Sequence, residues 1–178
     1  MGYGLDPIPD TSGARQAVEE AQAVFVGGGN TFRLLKGLYE LDLLSPIRRR
    51  VEAGVPYIGS SAGSIVACPT IKTPKDMPIV ELSYFCALGL VTFQISPHYL
   101  DPDPTSTHMG ETQEERIHQF LEENDAPVVG LREGALLRVE EGSVVLKGSA
   151  GARLFRRGHD PVETVPGMKL DSFLSSGD

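Results

Sequence analysis

Val55-Pro56-Tyr57-Ile58-Gly59-Ser60-Ser61-Ala62-Gly63-Ser64-Ile65-Val66-Ala67 is a short apolar run, a small-residue turn and a second apolar stretch at helical spacing. It fits G-x-S-x-G, the strand-to-helix turn that lifts a serine side chain above the carboxyl edge of a sheet. The expected strand is 55–58, and the expected helix runs to Ala67. The same grammar occurs upstream. Residues 23–26 (Ala-Val-Phe-Val) enter Gly27-Gly28-Gly29, and 31–41 carry Phe32, Leu35 and Leu38 on one helical face. Between the two units, Ser45-Pro46 reads as a helix start and Gly54 as its end. Ahead of both, Ser12 is placed to cap a helix bearing Ala14, Ala17, Val18 and Ala21. Residues 1–11, with Gly2, Gly4, Pro7 and Pro9, read as an extended lead-in.

Downstream, 69–83 is rich in proline and charge and reads as loop, and 88–95 as a strand stopping at Pro97-His98. Thr112 with Glu115 forms a capping box for a helix to about Glu123. A strand at 128–131 ends at Arg132-Glu133-Gly134. Residues 135–139 and 143–146, around Glu141-Gly142, read as a hairpin, 152–155 as a further strand, and 160–178 as a tail. Strands alternating with helices predict an α/β fold with a mostly parallel sheet flanked by helices and an antiparallel C-terminal hairpin. The chain has 178 residues, a length suited to one domain.

Composition narrows the function classes. Hydrophobic residues are 40% and charged residues 22%, enough for a packed core and against disorder. The net charge is −8, and the densest basic cluster is Arg48-Arg49-Arg50, read as a solvated helix face. Nucleic acid is therefore not the expected partner, because phosphates need a basic face. Two cysteines, Cys68 and Cys86, build neither a disulfide framework nor a metal site, and no H-E-x-x-H is present. No metal or cofactor is expected. No apolar run approaches the roughly 20 residues of a membrane span, and the first ten residues lack the basic start of a secretory signal. The expectation is a cytoplasmic protein.

A serine nucleophile needs a base, and the base needs an orienting carboxylate. Of the four histidines, His118 lies within a predicted helix and His159 in a polar turn, where both are expected to be solvated. His108 sits in a loop. His98 follows a strand directly, and Glu133 follows the next strand. In α/β sheets chemistry collects at the carboxyl ends of strands. The ends carrying Gly27-Gly28-Gly29, Ser61, His98 and Glu133 are expected to share one rim. Each feature also has a plain reading, as a turn, a loop histidine or a turn glutamate. The segment Gly27-Gly28-Gly29-Asn30-Thr31 has three: an oxyanion hole, a phosphate cradle or a structural turn. It lacks the lysine of a phosphate-binding P-loop.

The segments Val26-Gly27-Gly28-Gly29-Asn30-Thr31-Phe32, Gly59-Ser60-Ser61-Ala62-Gly63, Ala67-Cys68-Pro69-Thr70-Ile71, Asp76-Met77-Pro78-Ile79, Pro97-His98 and Gly110-Glu111-Thr112 resemble the peptidase E family of aspartyl dipeptidases. The resemblance implies a fold similar to class I glutamine amidotransferases and hydrolysis of dipeptides with an N-terminal aspartate. It implies Ser61 as nucleophile, His98 as base, Glu133 as its carboxylate partner, and the N–H groups of Gly29 and Ala62 as the oxyanion hole. Asn30, Thr31, Arg116 and Lys72 are the expected substrate contacts, the last two because an acidic protein needs local positive charge to bind an aspartyl group. The rival readings are a cyanophycinase-like β-aspartyl peptidase, a non-catalytic ligand-binding relative and a nucleotide-binding module. The family usually carries further strand–helix structure before the glycine-rich segment. Here about two dozen residues precede it, so an abbreviated fold and a homodimer that covers its open strands are expected.

Overall fold

A computed structural model describes residues 4–8, 13–73, 75–103, 105, 107 and 109–174. Its first half alternates as the sequence predicts. Helix α1 (Ala14–Glu20) buries Ala14 and Val18, and Gly13 stands at its N-cap, while the predicted cap Ser12 and most of the lead-in lie outside the described residues. Strand β1 (Val24–Val26) leads to α2 (Thr31–Glu40), where the Asn30 side chain caps by accepting from the Arg33 N–H at 3.1 Å. Helix α3 (Leu44–Glu52) begins two residues before Pro46, which its first turn tolerates because those N–H groups have no intrahelical acceptor. Strand β2 (Tyr57–Gly59) pairs in parallel with β1, with Phe25 opposite Ile58, and α4 (Ala62–Val66) follows it.

The second half pairs β3 (Gln94–Pro97) in parallel with β4 (Val128–Leu131). Helix α5 (Gln113–Glu123) connects them and opens on the predicted capping box, with Thr112 and Glu115 bonded to each other's backbone. The chain then turns antiparallel. Strand β5 (Ala135–Glu140) and β6 (Ser143–Gly148) form a hairpin, with both residues of its Glu141-Gly142 turn at positive φ. Strand β7 (Ala152–Phe155) lies antiparallel to β4, and β8 (Val162–Thr164) antiparallel to β7. Helix α6 (Asp171–Leu174) closes the described chain.

Four expectations need correction. The pairing is mixed rather than mostly parallel: β1–β2 and β3–β4 are parallel, while β4–β7, β7–β8 and β5–β6 are antiparallel. After β4 the chain runs through the β5–β6 hairpin rather than a crossover helix, and β7 returns antiparallel to β4. Residues 160–178 are not merely a tail, since they contribute β8 and α6. Residues 88–93 are not strand. The N–H groups of Leu88, Gly89 and Leu90 turn back onto the carbonyls of Val66, Cys68 and Ala67 at 2.8–2.9 Å, so this apolar run packs on the end of α4. Finally, Arg48-Arg49-Arg50 is more than a solvated face, although Arg48 and Arg49 are exposed and Arg50 half-buried. Arg48 donates to the carbonyls of Leu88 and Ala87, Arg50 to that of Ala21, and Arg49 pairs with Glu19.

Apolar packing explains how the halves meet. Leu35, Leu43, Ile47, Ile65, Val66 and Leu88 form one buried cluster, and Phe93, Ile95, Val129, Leu146 and Leu154 another. Each such side chain contributes about 1.5–3 kcal/mol of burial. Helix α4 packs against both β2 and β3. Just beyond it, buried Cys68 donates to the Ser64 carbonyl at 3.4 Å and accepts the Ile95 N–H at 3.2 Å. That thiol stitches the helix after Ser61 to the strand before His98. Burial pushes its pKa up to about 12, so it stays neutral.

Candidate active site

Ser61 sits between β2 and α4 with φ 54° and ψ −113°. Such a backbone costs of order 1–3 kcal/mol and persists only where neighbours hold it. The Gly63 N–H donates to the carbonyls of Ser60 (2.9 Å) and Gly27 (3.2 Å). The Tyr57 hydroxyl donates to the Gly63 carbonyl at 2.7 Å, and the Ser64 hydroxyl to that of Gly59 at 3.0 Å. Burial raises the Tyr57 phenol well above its ordinary value, so it remains a donor. Both glycines of the motif are sterically required. A Cβ on Gly63 would overlap the Val26 carbonyl, and one on Gly59 would stand 2.6 Å from the Gly63 oxygen.

His98 follows β3 at φ 55°. Its Nε2 lies 2.9 Å from Ser61 Oγ, and its Nδ1 is bonded to a Glu133 carboxylate oxygen. A carboxylate accepts from Nδ1–H, which leaves the Nε2 lone pair facing the serine hydroxyl. The ladder between β3 and β4 extends past β3, as the Tyr99 N–H donates to the Leu131 carbonyl at 3.0 Å. Gln113, in the first turn of α5, donates to the Ser96 hydroxyl and accepts from the Leu100 N–H. Lys75 Nζ donates to the His98 carbonyl. Burial holds the Lys75 pKa below its ordinary value, the Arg116 charge adds to this, and Glu133 opposes it. Arg116 itself pairs with Glu111 at 3.5 Å.

The glycine turn lies against Ser61, since a Cβ on Gly28 would be 3.3 Å from Ser61 Cβ. Ala62 opens α4, so its N–H has no acceptor within the helix. Gly29, at φ 137°, has an N–H without a protein acceptor among the described residues. Asn30 and Thr31 are occupied structurally. Asn30 Nδ2 donates to the Met77 carbonyl, and buried Thr31 donates to Asp76 through both its N–H (2.7 Å) and its hydroxyl. They fasten the 76–77 segment over the turn.

The structure thus brings together Ser61, His98 and Glu133, with the glycine turn alongside, and Arg116 is close enough to act on Lys75. Lys72 is not brought to them. It donates to Asn124 at the C-terminal end of α5, and that helix holds the His98 loop by its other end. His118 and His159 are exposed, near Glu114 and the Arg157 carbonyl respectively, and His108 lies outside the described residues. Among the described residues no cluster of His, Cys, Asp or Glu is suited to a metal ion, and no helix is long and apolar enough to cross a membrane. Sequence reasoning missed Lys75. In sequence it is one lysine of a polar loop, and only the fold lays that loop along β3, with Thr73 donating to the Ile95 carbonyl at 3.1 Å.

A serine, a histidine and a glutamate in one hydrogen-bonded row, on a strained strand–helix elbow, have the geometry of a serine hydrolase triad. The chain belongs to peptidase family S51, whose model matches residues 1–147. It is 58% identical to a Streptomyces coelicolor protein named "Peptidase E" over 88% of this chain and 65% of that one. It is 47% identical to a Drosophila melanogaster protein named "Probable alpha-aspartyl dipeptidase" over 97% of this chain and 72% of that one. The fold matches a solved peptidase from an acI-B1 Actinobacterium with a TM-score of 0.65 at 16% identity, over 87% of this chain and 61% of that one. The chain therefore spans about two thirds of the length of these proteins.

Proposed function

We propose that this chain is a serine peptidase that hydrolyses dipeptides with an N-terminal aspartate. The observation that carries the reading is the His98 ring, bonded on one side to Ser61 and on the other to Glu133. Ser61 Oγ attacks the scissile carbonyl and passes its proton to His98 Nε2, and Glu133 stabilises the resulting imidazolium. The N–H groups of Gly29 and Ala62 receive the oxyanion. His98 then protonates the leaving amine, the C–N bond breaks, and an acyl-Ser61 remains. Water repeats the sequence and releases free aspartate. The names of the Streptomyces and Drosophila relatives support the peptidase class and the aspartyl preference.

For the acidic side chain, Arg116 together with Lys75 is the cationic pair we assign, because the two charges interact beside Glu133. Asn30 and Thr31 shape the turn that the substrate meets, and Lys72 is the remoter cation. The chain works as one domain of the class I glutamine amidotransferase-like kind in the cytoplasm, a placement supported by its two free thiols, Cys68 and Cys86. A homodimer is supported by the β1–β2 pair, where Phe25 and Ile58 lie side by side and exposed. Light scattering that gives a clean monomer at micromolar concentration would remove the dimer.

The decisive test is turnover of Asp-Leu against Asn-Leu, Glu-Leu and β-Asp-Leu. Asp-Leu is expected to be cleaved fastest, with Ser61→Ala inert. Preference for β-Asp-Leu would move the reading to a cyanophycinase-like enzyme. Absence of turnover together with unlabelled Ser61 in a fluorophosphonate reaction would make the chain a binding protein.

A further inference from the structure

Glu133 touches His98 from an exposed turn, and its carboxylate makes no other hydrogen bond among the described residues. What aims it must act through the backbone. The residue before it, Arg132, has a side chain that is only 21% exposed and uses the whole guanidinium fork. Nε and Nη2 donate to both oxygens of Asp101 (2.9 and 2.6 Å), and Nη1 and Nη2 to both oxygens of Glu163 (2.9 and 3.1 Å). Its guanidinium carbon also stands 5.6 Å from the centre of the Tyr99 ring. Asp101 lies three residues beyond His98. Two neighbouring residues, 132 and 133, therefore make two neighbouring bridges to one loop, one to Asp101 and one to His98. The ring closes behind them. Arg153 on β7 bonds Glu163 and Glu114, and Glu114 on α5 accepts from the Tyr99 hydroxyl at 3.0 Å.

We propose that Arg132 is a positioning residue that sets the distance between the loops carrying His98 and Glu133, and so holds the carboxylate on Nδ1. This rests on the serine-peptidase reading above. The bidentate fork is what suits Arg132 to the task. It fixes a plane as well as a distance, which a lysine ammonium cannot do. A displacement of about 1 Å in such a constellation is enough to lower turnover on the order of 10²-fold.

The test compares Arg132→Lys and Asp101→Asn, which loosen one bridge from opposite ends, with Glu133→Gln. The charged groups nearest the His98 ring, Lys75 and Glu133 with Arg116 behind them, are untouched in the first two. The His98 Nδ1–H proton signal, which reports the bond to Glu133, is followed by NMR, and kcat and KM are measured on Asp-Leu, normalised to fluorophosphonate-titrated sites. In both variants that Nδ1–H signal is expected to move or broaden, part of the way to its state in Glu133→Gln. The expected kcat is lower by roughly 10- to 100-fold, with KM changed less than about threefold. A lowered melting temperature with an unchanged Nδ1–H signal, in whichever variant folds, would overturn the proposal. A shifted Nδ1–H signal in a protein without peptidase activity would instead sink the peptidase reading and leave the positioning role standing.

Discussion

On the serine side of the Ser61–His98 hydrogen bond the structure is held by shape, and on the other side by charge. Ser61 is fixed by backbone contacts so close that Gly59 and Gly63 admit no side chain, and α4 beneath it is almost wholly buried. His98 and Glu133 stand on exposed loops, held by a guanidinium shared between two carboxylates. Steric restraint is indifferent to salt and pH and fails all at once. Ionic restraint is graded, and responds to both. The site joins one element of each kind.

The sharpest way to break this contrast is at the elbow. Gly63→Ala places a methyl group on the Val26 carbonyl and is expected to abolish cooperative folding, as read by thermal melting. Ser61→Ala is expected to melt like the parent and lose activity by a factor on the order of 10⁴ or more, while Ser60→Ala keeps most of it. Loss in Ser60→Ala alone would mean that the neighbouring hydroxyl is the nucleophile.

Across the bond the effects grade downward. His98→Ala is expected to approach the Ser61→Ala defect, with His118→Ala and His159→Ala near the parent rate. Glu133→Gln keeps the shape of the carboxylate but loses its charge and its hold on the tautomer, and is expected to cost roughly 10³–10⁴-fold in kcat. A loss below tenfold would show that His98 orients itself.

Smaller still is a pH effect on stability. The Arg132 hydrogen bonds hold the Asp101 carboxyl below the usual carboxylate range. A carboxyl whose folded pKa is depressed adds stability that is fully present above its unfolded value of about 3.9 and is lost as pH falls through the folded value. Parent and Asp101→Asn should therefore differ most in melting temperature above about pH 4, and converge on acidification. A constant gap from pH 7 down to pH 2 would show that the bridge is not what Asp101 contributes. The least perturbing measurement is alkylation of the thiols. Exposed Cys86 should react in the native protein, whereas Cys68, buried with its pKa raised to about 12, should react only on unfolding.

The same contrast explains what could be read before the structure. The elbow was legible because sterics write themselves into residue type: glycines at 59 and 63 around Ser61, and strand and helix patterns on either side. His98 and Glu133 could be nominated because each ends a strand, and strand ends converge. Their support could not. Nothing in the run Leu131-Arg132-Glu133-Gly134 distinguishes a structural arginine from a surface one, and its partners Asp101 and Glu163 are far away in sequence. Arg48 and Arg50 misled for the same reason, since a basic run looks solvated until the carbonyls it satisfies are in place. Residues 88–93 misled because apolar content specifies burial, and it was spent on α4 rather than on a sheet. The capping box, by contrast, is a local hydrogen-bond pattern, and α5 begins where Thr112 and Glu115 put it.

The ring through Arg132, Arg153 and Glu163 also bears on how much of the chain the proposed site draws on. The S51 family model matches residues 1–147, a span that holds Ser61, His98 and Glu133. The ring continues to Arg153 on β7 and Glu163 on β8, and β7 supplies the only antiparallel neighbour of β4 among the described residues. A fragment cut at 147 would retain Ser61, His98 and Glu133 and lose part of the frame around them. The boundary drawn by chemistry falls short of the boundary drawn by mechanics, by the length of two strands.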